Sequence, residues 1–397
     1  METLYELHQQ FITNLKPTFR RALINDISWE AKGLAILGAR GVGKTTLILQ
    51  YIKEQFKHSK KALYISMDHI VVQPYALYDI AKYHNNNGGT HLFIDEIHKY
   101  DNWSTHLKSI ADSFPQLYCV VSGSSILQIY KAKADLSRRF ITYHVQGLSF
   151  REYLGIAHNV HLPAITINNI ITNHVAIAQN ICSQIQAVET FKTYLQYGYY
   201  PFYLQGTKIY AQKIQNVLNA ILEVDLPIIT GLPVQNIHKI KKLISIIAQN
   251  VPYQPNITKL AETLDLNRST LYLYIDYLQD AAIINRLYAD GKSLQVINKP
   301  DKIFLHNTNI SYSFGGLNTN VGCVRETFFL NQLMFKHNVT AAKQGDFVVN
   351  NNYIFEVGGK TKAFKQIANL PNSYVVADDI LIGYGNKIPI WLFGFLY

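Results

Sequence analysis

The sequence predicts an α/β amino-terminal part on a parallel sheet, a helical middle and a second, small α/β part at the carboxyl end. Three observations carry that prediction. From about residue 30 to 155, short apolar runs alternate with helical patterns, as strands and their crossover helices do. From about 160 to 290 the periodicity turns helical, with Asn, Gln and Ile prominent. After about 300 short strands return, punctuated by Gly315-Gly316, Asn350-Asn351-Asn352 and Gly383. Three regions follow: 1–158, 159–300 and 301–397.

Composition bounds the function classes. The chain has 397 residues, enough for two to four domains at roughly 100–200 residues each. Hydrophobic residues make up 48%, which excludes wholesale disorder. Its 22 Gly and 12 Pro show no period, which excludes collagen-like and low-complexity chains. Lys and Arg number 37 against 27 Asp and Glu, a net charge of +10. That surplus admits an anionic partner or simply a basic, soluble surface. Cys119, Cys182 and Cys323 are too scattered for a disulfide framework or a zinc site, and the 14 His show no metal-ligand spacing. The first residues, Met1 to His8, lack the basic and apolar regions of a signal peptide. No run of about 18 apolar residues exists, and the tail Ile390–Tyr397 reads as a buried strand. The expectation is a soluble cytoplasmic protein with no membrane partner.

Taken in order, the candidate strands of the first region are Leu34–Leu37, Ala62–Met67, Leu92–Ile94 and Leu117–Val121. The first leads into Gly38-Ala39-Arg40-Gly41-Val42-Gly43-Lys44-Thr45, which fits G-x-x-x-x-G-K-[ST] at every fixed position, and a helical stretch follows. Glycines let successive N–H groups point at phosphate oxygens, and the helix N-terminus adds its dipole. Gly38 to Thr46 are therefore the candidate nucleotide-binding residues. Lys44 is expected at the β- and γ-phosphates and the Thr45 hydroxyl on Mg²⁺. This is the fold class of P-loop NTPases.

Some fifty residues on, Leu92-Phe93-Ile94 ends in Asp95-Glu96, at the carboxyl end of a strand where ligands of open α/β sheets gather. Asp95 is the expected second holder of Mg²⁺, and Glu96 the group that orients or deprotonates the attacking water. Ser122-Gly123-Ser124-Ser125 closes the next strand, expected beside that of Asp95; a hydroxyl there senses the γ-phosphate or caps a helix. Arg138 and Arg139 follow. Arg139 is the candidate for stabilising transition-state charge, in cis or across a subunit interface, against the alternative of a solvated pair.

These residues resemble a family. Ile36 to Leu47, the acid pair with Trp103 after it, and Val121 to Ser125 are similar to a prokaryotic AAA-class P-loop ATPase family. Leu136 to Phe140, Gly147 to Leu154 and Tyr197-Gly198-Tyr199-Tyr200-Pro201 continue the resemblance in order. It implies ATP as the nucleotide. It also implies a carboxyl-terminal domain of unknown function among restriction-endonuclease-like folds.

In the middle region, Ile257–Leu264, the turn Asp265-Leu266-Asn267 and a helix from Arg268 form a helix-turn-helix layout. Ile283–Leu287 and the Ala289-Asp290-Gly291-Lys292 turn would add a wing. Arg268, Ser269, Thr270 and Tyr272 would then face a DNA groove, unless the module serves protein contact or domain packing. At the carboxyl end, Asp346 and Tyr353-Ile354-Phe355-Glu356 resemble the acid, hairpin and D/E-x-K site of restriction-type nucleases, with Glu326 as a helix acid. Asp346 and Glu356 are the candidate second metal pair. The position two after Glu356 is Gly358, however. Lys360 lies about 13 Å along an ideal strand at roughly 3.3 Å per residue, unless a glycine bulge shortens the path, and Lys362 lies farther still.

The functional expectation is Mg²⁺-dependent ATP hydrolysis that drives a conformational change, with DNA, a protein partner at the second or third region, and a homo-oligomer as open partners. Two alternatives stand beside it: a nucleotide-gated switch with slow hydrolysis, and an ATP-regulated, metal-dependent nuclease.

Overall fold

The computed structural model describes residues 1–16, 19–57, 59–123, 138–289 and 299–397. They divide into two compact units, Met1–Gly147 with Ile228–Gly231, and Leu148–Pro227 with Leu232–Tyr397.

The first unit is a parallel sheet of β1 (Gly33–Gly38), β2 (Ala62–Ser66), β3 (His91–Asp95), β4 (Tyr118–Gly123) and β5 (Ile141–Val145). The strand order is β2-β3-β4-β1-β5. β1 and β2 are buried along their whole length, which is why they read as continuous apolar runs rather than alternating ones. Crossovers run through α2 (Lys44–Gln55), α3 (Leu77–Asn86) and α4 (Trp103–Ser113), whose Ile80, Trp103 and Leu107 share a core with Leu37, Ile65 and Ile94. β4 lies between the strand that ends in the glycine loop and the strand that ends in Asp95. An additional helix, α1 (Glu2–Asn14), packs against edge strand β2. There His8 Nδ1 accepts the Tyr64 backbone N–H at 3.0 Å, so an edge amide is covered rather than left open.

The second unit begins with α5 (Phe150–His158), started by a reciprocal capping box between Ser149 and Glu152. Ser149 Oγ and Arg151 Nε also donate to the Tyr397 main-chain oxygen, at 2.8 and 2.9 Å. Helices α6 (Ile167–Cys182), α7 (Ala187–Tyr197), α8 (Tyr210–Ala220) and α9 (Val234–Gln249) follow. Next come α10 (Ile257–Leu264), a three-residue turn, α11 (Arg268–Asp280), and β6 (Ile284–Leu287), antiparallel to β7 (Lys302–Leu305). The expected boundary near 300 thus falls inside a strand pair, and the regions on either side form one compact unit. Residues 290–292 of the expected wing turn lie outside the described residues.

After α12 (Thr308–Gly315) and α13 (Val321–Met334) come β8 (Val339–Ala341), β9 (Phe347–Val349), β10 (Tyr353–Gly358), β11 (Ser373–Ala377) and β12 (Lys387–Pro389). They form a mixed sheet of order β12-β11-β10-β9-β8, with an antiparallel meander β8-β9-β10 and parallel β11 and β12. The tail is buried as expected but is not a strand: Ile390–Phe395 is a 3₁₀ turn with all six residues buried. In the stretch Tyr197 to Pro201, Tyr199 and Tyr200 are core. Asn309 Oδ1 accepts the Tyr199 N–H at 2.8 Å and the Tyr210 hydroxyl at 2.5 Å, tying the stretch to α12. Among the described residues no helix is long and apolar enough to cross a membrane.

Candidate functional site

The glycine loop leaves β1 at the carboxyl edge of the sheet and enters α2. Gly38 has no room for a side chain, since a Cβ there would lie 2.3 Å from the Val145 carbonyl oxygen. Gly41 and Gly43 adopt φ of 85° and 93°, the left-handed region that favours glycine. Ala39 and Val42 are buried, Arg40 is half-buried and Thr46 is exposed. Lys44 is 5% exposed, and its ammonium donates to the Gly38 and Ala39 carbonyl oxygens, both at 3.0 Å. The loop is closed around its own lysine.

At the end of β3, Asp95 is 2% exposed and its carboxylate accepts from four donors. Oδ2 accepts the Thr45 hydroxyl at 2.6 Å and the Tyr64 hydroxyl at 2.8 Å. Oδ1 accepts the Ser122 hydroxyl and, at 3.2 Å, the Glu96 N–H. Thr45, Asp95 and Ser122 come from three separate elements, and strand order brings them together. One hydroxyl and one carboxylate beside a phosphate-binding loop is the hard-oxygen set that suits Mg²⁺, which takes one or two carboxylates and fills its shell with phosphate and water. Glu96 sits at φ 51°, and its Oε2 lies 3.4 Å from Nε2 of the buried His98.

Arg139 is not at this site within the chain. Its carbonyl lies where a Cβ on Gly33 would be, at the start of β1, whereas the loop departs from Gly38 at the other end. Five residues of strand separate the two, about 16 Å. Its guanidinium instead pairs with Asp112 of α4, Nε at 3.0 Å and Nη2 at 2.9 Å. Arg138 is exposed beside it. Ser124, Ser125, Leu136 and Ser137 lie outside the described residues.

Two contributors escape sequence inspection. Tyr64 reads as a core aromatic of an apolar strand. Burial and the neighbouring Asp95 charge push its phenol well above the ordinary range, so it stays a donor. Arg21, twelve residues before β1, is buried. It donates to the Val42 carbonyl in the loop at 2.9 Å and to the Gln146 and Gly147 carbonyls at 2.9 and 3.3 Å. Nothing in the sequence sets it apart, since Arg20, Asp26, Glu30 and Lys32 are charged residues of the same approach to the first strand.

In the second unit, Glu326, Asp346 and Glu356 do come near one another, but with lysines between them. Lys302 Nζ lies 3.8 Å from Glu326 and 3.9 Å from Asp346, and Lys362 pairs with Glu356. Burial foremost, then Asp346, raises the Glu326 carboxyl to about 7. Among the described residues no group of three His, Cys, Asp or Glu is placed to hold a metal. The lysine also differs from expectation. Lys360 does not come back to Glu356; Lys362 does, because the chain turns at Gly359, where its carbonyl accepts the Lys362 N–H at 3.0 Å. The Lys362 stem then crosses Gly358, the position expected to lack the needed side chain.

The helix-turn-helix candidate is formed as α10, turn and α11. Arg268 and Ser269 are exposed and Tyr272 is half-buried. The side chain of Asn267 caps α11, accepting the Thr270 N–H at 2.7 Å. Lys239 and Lys242 of α9 are spent on the carbonyls of Asp265 and Thr263, so their charge serves the turn.

Residues 30–154 match the family model described as "AAA domain", and residues 188–320 match one described as a domain of unknown function (DUF8612). The strand order and the loop make the amino-terminal unit a P-loop NTPase fold, and the family match likens it to the AAA class. Among whole proteins, the chain is similar to an uncharacterized protein of Methanocaldococcus jannaschii. The two are 26% identical over 387 residues, 89% of this chain and 81% of the relative. An uncharacterized protein of Haemophilus influenzae is 23% identical over 262 residues, 62% of this chain and 60% of the relative. The solved structure of the Aeropyrum pernix ORC1 protein in complex with DNA aligns over 79% of this chain and 92% of its own, at 11% identity and a TM-score of 0.31. AMPPCP-bound DnaA from Aquifex aeolicus aligns over 70% and 88%, at 12% identity and a TM-score of 0.26. Alignments this loose leave the fold assignment to the strand order and the loop.

Proposed function

We propose that this protein binds ATP with Mg²⁺ and hydrolyses it to drive a conformational change, with DNA as the partner to test first. The carrying observation is the convergence of Thr45, Asp95 and Ser122 next to the glycine loop, with Glu96 directly after Asp95. On this reading the loop amides and Lys44 hold the phosphates, the lysine exchanging two carbonyl oxygens for phosphate oxygens. Thr45 and Asp95 would hold Mg²⁺, which neutralises charge on the transferring phosphoryl group. Glu96 orients or deprotonates water, and Ser122 keeps the carboxylate of Asp95 in place. Phosphoryl transfer of this kind is chiefly positioning and charge stabilisation, which a buried, fully hydrogen-bonded carboxylate supports. Arg139 could act only on the nucleotide of a second copy. Phosphate release from ATP and Mg²⁺, with and without duplex DNA, tests the reading. Release well above that of Lys44→Ala is expected, and equal rates would sink it.

A slow, nucleotide-gated switch is the second reading. It is favoured by Glu96, which lies against His98 at 3.4 Å. Turnover that is slow and indifferent to DNA selects it. For the carboxyl-terminal sheet we propose a restriction-endonuclease-like scaffold kept for binding rather than cleavage. The support is α13 followed by an antiparallel meander and a parallel strand, with lysines closed onto its acids. Supercoiled DNA nicked in Mn²⁺ by the wild type but not by Asp346→Ala would reject that scaffold role.

A further inference from the structure

We propose that Tyr64 is a positioning residue for Asp95, whose hydroxyl holds the carboxylate oxygen that Thr45 releases when the site takes up Mg²⁺, and that α1 is thereby part of the site. The inference rests on the nucleotide reading above and deepens it. In the parallel register of β2 and β3, Tyr64 pairs with Phe93 and Ser66 with Asp95. Tyr64 and Asp95 therefore share a face of the sheet, two residues apart, within reach of a tyrosine leaning along its strand.

An ionised carboxylate offers about four acceptor sites. Here four donors fill them, two on each oxygen. A threonine hydroxyl that turns its oxygen to a cation no longer occupies Oδ2 in the same way. Oδ1 keeps Ser122 and the Glu96 amide, while Oδ2 keeps Tyr64 alone. Without Tyr64 that oxygen has no protein donor left among the described residues, and the carboxylate is held through Oδ1 alone.

Tyr64 is itself fixed. Its ring is fully buried and meets Phe11 edge-on at 5.2 Å between centroids. Its backbone N–H donates to His8 Nδ1 at 3.0 Å. Both partners belong to α1, so this helix reaches Asp95 through one side chain.

The test uses the whole chain and a fluorescent ATP analogue, titrated first in EDTA and then against MgCl₂. For Tyr64→Phe, affinity in EDTA should match the wild type. The Mg²⁺ concentration at half effect should rise about tenfold, the lower end of what groups orienting a metal ligand contribute. Wild-type binding with an unshifted Mg²⁺ midpoint in Y64F overturns this inference and leaves the nucleotide reading standing. A wild type that binds no analogue in either buffer overturns both. Should Y64F not fold, Phe11→Leu takes its place, keeping the hydroxyl but loosening the ring. A raised midpoint then supports the role, and an unchanged one overturns it.

Discussion

Replacing Gly358 by alanine should destabilise the second unit by about 3 kcal/mol, although the backbone there is ordinary strand. A methyl group at that position would lie 2.6, 2.7 and 2.8 Å from Cγ, Cβ and Cδ of Lys362. These are the near atoms of the side chain, so rotating its tip brings no relief, and the turn that carries Lys362 must move. Overpacking alone costs about 1–3 kcal/mol. Movement of Lys362 also strips Glu356, which is 4% exposed, of its cation, and removing one partner of a buried pair costs about 3–5 kcal/mol. The two costs overlap because one displacement causes both. Lys362→Ala should therefore be as damaging alone, and the double variant should be little worse than either, a coupling of about 2 kcal/mol in a double-mutant cycle. Native-state hydrogen exchange of the β10 and β11 amides reads this unit by itself. Additive effects, or a G358A variant within about 0.5 kcal/mol of wild type, would refute the packing of Lys362 over Gly358.

Two further outcomes follow from the first unit. Arg21→Met should cost about 3 kcal/mol by leaving the Val42, Gln146 and Gly147 carbonyls without their charged donor; unchanged amide exchange in β1 together with unchanged nucleotide affinity would refute it. Burial holds His8, His84 and His91 down to about 4, below their usual 6.5. Between those values the unfolded chain binds the extra protons, so stability present above pH 6.5 is lost as pH falls toward 4. Amide exchange in β2 and β3 should accelerate over that window, and a flat profile would contradict the neutral, buried state of these rings.

The glycine loop and the acid pair were legible because their chemistry is local. Fixed spacings place Gly38 where a Cβ would clash and Gly43 where φ is positive, and an apolar run ending in Asp95 marks a strand end. Ser122 was legible for a related reason, since a parallel sheet puts successive strand ends along one edge. Tyr64 was not, because its partner is set by register between strands and its neighbours Leu63 and Ile65 make it read as one more residue of an apolar strand. For Arg139 only the role within its own chain fails, because residues before β5 fall at the opposite edge of the sheet from residues after β4, a direction that motif order does not encode. Lys362 was discounted by measuring along an ideal strand; a turn at Gly359 folds that length back on itself. The tail was legible as buried and not as helical or extended, since eight apolar residues carry no period.

The span that resembles the AAA family starts at residue 30, yet α1 and Arg21 lie before it. One shields the outer amide of Tyr64; the other grips the loop from behind. The stretch that matches the family model is therefore shorter than the stretch that holds the loop and the sheet edge in place. A fragment cut to the homologous span would expose a strand edge open to pairing with its own copies, and would retain every motif residue while losing the braces that hold them. For this architecture, resemblance marks where chemistry is encoded, and the preceding residues determine whether that chemistry has a rigid frame.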